Sequence, residues 1–79
     1  MPATLDEVKN LISGEFVDAD VTEITEVGSR IIGTIRSPEF EHMTSTQRNQ
    51  EVTKRVRDKL GLRGLNVGIL FPRAPGKAV

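Results

Sequence analysis

The 79 residues contain no cysteine, tryptophan or tyrosine, one histidine and three phenylalanines. The missing thiols exclude a disulfide framework, a thiolate metal site, a cysteine nucleophile and an iron–sulfur cluster held by this chain's own sulfurs. With one histidine, acid–base chemistry at neutral pH would have to rest on His42 or on a carboxylate of raised pKa. His42 stands in the polar stretch Glu39-Phe40-Glu41-His42-Met43, between a proline and a helix cap, and reads as an exposed loop residue rather than a general base or lone ligand. The carboxylate pairs Asp18/Asp20, Glu23/Glu26 and Glu39/Glu41 do not differ from solvated surface charges, and a chain this short has little room for a partly dry pocket. The expectation is a non-catalytic protein with no cofactor and no small-molecule substrate. A long apolar run is missing too, and Met1-Pro2-Ala3-Thr4-Leu5-Asp6-Glu7 has neither a basic region nor an apolar one behind it. We therefore expect a soluble, cytoplasmic protein with no membrane partner.

What is present fits a single small globular domain. Eleven basic and eleven acidic residues cancel to a formal net charge of zero, which by itself argues against a dedicated polyanion binder. The zero conceals a polarity. Residues 1–28 hold seven acids and one base, a net of −6, while residues 29–79 hold ten bases and four acids, a net of +6.

Thr4-Leu5-Asp6-Glu7 has capping-box spacing, and Leu5, Val8, Leu11 and Ile12 form an apolar stripe. The pattern predicts a helix over about residues 5–13, with Gly14 as its left-handed cap. The β-branched runs 21–27 and 30–36, joined by Gly28-Ser29, read as a hairpin. Ser37-Pro38 stops the second strand, and a loop or short helical turn follows through Phe40. Thr44 and Gln47 make a second capping box, with Val52, Val56 and Leu60 four residues apart ahead of Gly61, predicting a helix over about 45–60. Leu65, Val67, Ile69 and Phe71 alternate, predicting a last strand that turns this set to the core and ends at Pro72. The fold class is α/β (α+β): order α-β-β-turn-α-β, a three-stranded mixed sheet with helices on one face, and parallel pairing if the second and third strands are adjacent. Residues 1–72 form the domain, and 73–79 form a flexible tail.

The basic residues concentrate on and after the long helix. Arg48, Arg55 and Lys59 share one side at 100° per residue, whereas Lys54 and Arg57 point elsewhere. This side reads either as a surface for an anionic partner, nucleic acid or acidic protein, or as a solvated face in which Glu51 pairs with Arg55 and the cations suit the helix dipole. Gly61-Leu62-Arg63-Gly64 matches the G-x-x-G that clamps a nucleic-acid backbone in KH domains. That loop joins two helices, however, and here the tetrapeptide leads from a helix to a strand, so Gly61 reads as a cap and Gly64 as a turn residue. With Phe71 assigned to the core face and Phe40 to a plug after Pro38, no aromatic platform for base stacking is expected.

Ser37-Pro38-Glu39-Phe40-Glu41 followed by Gln47-Arg48-Asn49-Gln50-Glu51-Val52 resembles the S-P-x-F-E and x-R-H-R-x-V signatures of the BolA family, small proteins with a KH-like α/β fold of the same element order. Gly28-Ser29 resembles the family's G-S-H, and Pro72 falls where its members end the last strand. The resemblance implies an adaptor or regulator in stress response or iron–sulfur homeostasis, acting through a monothiol glutaredoxin-type partner, or else a KH-like nucleic-acid-binding transcription regulator using the basic long helix. Members that share a 2Fe–2S cluster with a glutaredoxin supply a His before the last strand and often a second ligand near the first hairpin. Arg63 and Arg30 stand at those two positions, and Asn49 and Gln50 replace the His and Arg of the helix signature. Arginine has no lone pair to give a metal. The expected contact surface comprises Arg30 and Arg63 with Arg48, Arg55 and Lys59.

Overall fold

A computed structural model describes residues 2–75. Helix α1 (Leu5–Glu15) leads into strand β1 (Thr25–Val27) and strand β2 (Arg30–Arg36). A 3₁₀ turn (Pro38–His42), helix α2 (Ser45–Leu60), a second 3₁₀ segment (Gly61–Asn66) and strand β3 (Val67–Arg73) complete the order. The sheet runs β1-β2-β3, antiparallel between β1 and β2 and parallel between β2 and β3, as expected for a helical crossover.

Both capping boxes form. The Thr4 hydroxyl accepts from the Glu7 N–H at 3.1 Å and the Thr44 hydroxyl from the Gln47 N–H at 3.2 Å. Each N3 side chain accepts in return from the cap's own N–H. Gly61 ends α2 with a positive φ of 55°, the conformation only glycine adopts cheaply. Gly14, by contrast, lies inside α1, which continues to Glu15 and is capped by Phe16 in extended conformation. The helix continues because Phe16, almost fully buried, closes the last turn through its N–H to the Ile12 carbonyl.

Val8 and Ile12 from α1, Val52 and Val56 from α2, Ile31 and Ile35 from β2, Leu70 from β3, and Phe16, Ile24 and Phe40 from the connections form one core. Helices therefore cover one sheet face. Phe40 is fully buried, its ring 5.0 Å from that of Phe16, so the turn after Pro38 does plug the apolar layer. Ser37 holds that turn, its hydroxyl donating to the Val17 carbonyl at 2.6 Å and accepting from the Glu39 N–H at 3.2 Å.

Besides the Gly14 cap, the sequence pattern misplaced three features. Strand β1 covers only residues 25–27 of the expected 21–27, because an Asp20 turn intervenes: its carboxylate accepts from both the N–H and the hydroxyl of Thr22, and Asp20 bridges Arg36 separately. Strand β3 runs through Pro72 to Arg73, which pairs with Arg36 and whose carbonyl accepts from the Ser37 N–H at 3.1 Å. Arg73 thus belongs to the sheet rather than to the tail. Proline fits there because β3 is an edge strand and alternation turns the Pro72 nitrogen outward. The rest of the expected flexible tail falls partly on 76–79, outside the described residues. Third, the inward face of β3 is Leu70, with Val67 packed partly against the core; of the expected Leu65/Val67/Ile69/Phe71 set only Val67 turns inward. Between Ile31↔Val67 and Gly33↔Leu70, β3 spends one more residue than β2, and a one-residue slip exchanges the faces.

Candidate functional site

Four of the five expected surface cations are engaged within the fold. Arg48 Nε donates to the Phe40 carbonyl at 2.8 Å and the Met43 carbonyl at 3.2 Å, closing the end of the first 3₁₀ turn. Arg55 donates to the Glu15 carbonyl and to Glu51 at 3.1 Å, lies 3.6 Å from Glu39, and stacks on Phe16 with its guanidinium carbon 4.2 Å from the ring centroid. Lys59 sits 3.9 Å from Glu15. Arg63 pairs with Glu7. The side of α2 carrying Arg48, Arg55 and Lys59 thus faces α1 and the 3₁₀ turn; the expected Glu51–Arg55 pair forms, but Arg48 and Arg55 are held by acceptors of the fold rather than solvated. These arginines reach acceptors brought close by tertiary packing up to forty residues away, which helical spacing alone does not reveal.

Arg30 is exposed at the first position of β2, opposite Val27. Ile31 is in register with Val67, and Arg63 lies in the 3₁₀ segment just ahead of Val67. The fold therefore brings Arg30 and Arg63 to the same end of the sheet. An iron–sulfur cluster does not fit there on this chain's own atoms: one guanidinium is held by Glu7, and neither offers a donor. His42 is exposed at the end of its turn. Among the described residues, no three His, Asp or Glu side chains converge as a metal site, and no helix is long and apolar enough to cross a membrane.

Two carboxylates are perturbed. Hydrogen bonding from the Thr4 backbone N–H, followed by that from Arg63, holds Glu7 below its ordinary value. The Thr22 hydroxyl, then the Thr22 N–H, does the same for Asp20. Both are structural acceptors at chain turns.

A concave surface lies elsewhere, as a groove of about 790 Å³ between α2 and β3. Asn49, Val52, Thr53, Val56 and Arg57 line one wall, at i, i+3, i+4, i+7 and i+8 of one helix face. Leu62, Leu65, Ile69 and Leu70 line the other. Three of these are large apolar side chains left in solvent: Leu62 at 83% exposure, Leu65 at 81% and Ile69 at 65%. A separate, smaller depression that shares Asn49 is lined by Ser45, Phe71 and Arg73. The lining includes no carboxylate, and the side chains of Arg57 and Arg73 make no hydrogen bond or ion pair among the described residues. The sequence had signalled this surface only negatively: Arg57 was the cation off the main basic side, and Leu62 lay inside the G-x-x-G tetrapeptide. Phe71, expected in the core, is half exposed beyond the groove.

No protein-family model matches the chain, and no curated protein matches it.

Proposed function

We propose that the protein is a non-catalytic, BolA-like adaptor that acts by association with another protein, a monothiol glutaredoxin-type partner in stress response or iron–sulfur homeostasis. The observation that carries this reading is the convergence of Arg30 and the 3₁₀ segment bearing Arg63 at one end of the sheet, the two positions at which the resemblance implies cluster ligands and at which partner contact is expected. With arginine at both, the partner would supply every cluster ligand, and this chain would contribute contact surface alone. An exposed guanidinium at Arg30 suits a carboxylate-bearing partner face.

The nucleic-acid alternative loses much of its support, because Arg48 and Arg55 are committed to backbone acceptors within the fold, leaving Lys59 alone of the three largely exposed. A sequence-independent phosphate surface needs several free cations on one face.

The test is to mix the protein with a cluster-loaded monothiol glutaredoxin and record visible circular dichroism alongside size-exclusion chromatography. A changed cluster spectrum with co-elution, lost in Arg30→Glu, supports the adaptor role. An unchanged spectrum with no co-elution removes it.

A further inference from the structure

We propose that the groove between α2 and the outer edge of β3 is a docking site for an extended peptide segment of a partner protein, one carrying apolar side chains next to a carboxylate. This goes beyond the glutaredoxin reading, since it uses a different surface and requires no cluster.

The backbone makes the first argument. Strand β3 is one edge of the sheet. The Arg73 carbonyl faces β2 and Ser37, so alternation turns the N–H and C=O of Leu70, together with the C=O of Pro72, to the open side. Pro72 has no N–H to offer, which confines strand addition to the stretch around Gly68–Leu70, which lines the groove. An extended segment added there would gain main-chain hydrogen bonds.

The side chains make the second argument. Alternate residues of an added strand would face the cleft floored by Val52, Val56 and Leu70, and the residues between them would lie beside Ile69 on the other face, which is otherwise exposed. An exposed apolar cluster beside an unpaired strand edge invites uncontrolled association unless something covers it.

Charge selects the occupant. The groove carries Arg57 and the adjoining depression Arg73, both guanidinium groups without a hydrogen bond or ion pair among the described residues, and neither lining has an acid. A second copy packed edge to edge would bring the same cationic, acid-free surface and leave both sets of arginines uncompensated. An acidic segment would neutralise them.

The experiment is to pan a random phage-displayed peptide library against the full chain and measure selected peptides by fluorescence polarisation. Enriched sequences should place an Asp or Glu within about two residues of alternating apolar positions. Their affinity should fall at least roughly tenfold in Ile69→Asp and in Arg57→Glu, an effect of the size expected for one interfacial anchor or charge pair. A peptide with Lys in place of its acid should regain affinity for Arg57→Glu. Both substituted residues are exposed, and unchanged far-UV circular dichroism establishes that the variants fold. The proposal is overturned by no enrichment, by enriched peptides lacking acids, by equal binding to both variants, or by a dimer in sedimentation that Ile69→Asp dissociates.

Discussion

The guanidinium of Arg55 lies 4.2 Å above the Phe16 ring centroid while donating to the Glu15 carbonyl just before that ring in the chain. One side chain of α2 thus caps the end of α1, covers the aromatic pair Phe16–Phe40, and meets Glu39 of the 3₁₀ turn and Glu51 of its own helix. A cation that could have served a partner instead joins three elements.

Arg55→Ala should cost about 2 kcal/mol in urea unfolding, from a lost charge-assisted hydrogen bond and a lost cation–π contact. Arg55→Lys should recover little, because an ammonium lacks the flat fork that stacks and donates in two directions. Lys59→Ala, removing one long, exposed pair to Glu15, should change stability by no more than about 0.5 kcal/mol. Equal losses for Arg55→Ala and Lys59→Ala would contradict the assignment.

Much of this architecture is written in local chemistry. Thr4, Glu7, Thr44, Gln47 and Gly61 mark helix ends by hydrogen bonds that form within four residues, so spacing reveals them. Pro38 and Phe40 announce a stop and a plug in the same way. The groove was not legible, for a reason equally physical: whether Ile69 or Leu70 points inward depends on one additional residue in the pairing of β3 with β2, a relation between segments more than thirty residues apart. The fates of Arg48, Arg55 and Arg63 depend likewise on carbonyls and carboxylates that only the fold brings near. Helical angle sorts side chains by direction and cannot tell whether a given direction meets solvent or protein.

The two glycines least alike in role offer a direct contrast. Gly33 in β2 has a φ of 151°, and a Cβ there would overlap the Glu23 carbonyl oxygen and come within 2.6 Å of the Ile24 Cα. The segment before β1 packs directly on that bare backbone, so Gly33→Ala should destabilise by more than about 2 kcal/mol or prevent folding. Gly14 is helical, with nothing within 4 Å of a built Cβ, and Gly14→Ala should stabilise by about 0.5–1 kcal/mol. Thermal unfolding of the two variants checks both signs, and a stabilising Gly33→Ala would refute the close approach.

Glu7 should leave a signature in acid. Its folded-state pKa is lowered by the Thr4 N–H and Arg63, so the ionised form favours the native state. That contribution is fully present above the unfolded-state pKa and disappears as pH falls through the lower folded-state pKa. Glu7→Gln should therefore melt below the wild type at neutral pH, and the difference should shrink to nothing on acidification below the ordinary carboxylate range. Since the pair is exposed, added salt should narrow the neutral-pH gap. A melting difference that ignores pH would show that Glu7 acts through shape alone.

The register slip in β3 makes a prediction opposite to that of simple alternation. Leu70 is buried against Val52 and Val56 across the groove floor, whereas Ile69 beside it is exposed. Leu70→Ala should thus cost about 2–4 kcal/mol through lost burial and a residual cavity. Ile69→Ser should stay within about 0.5 kcal/mol and should reduce any tendency of the free edge to self-associate, because it removes apolar surface without touching the core. If Ile69→Ser were the costly change and Leu70→Ala the mild one, the strand would be in the unslipped register. The groove would then lose its apolar wall, and Arg57 would border a polar surface with no built site for a peptide.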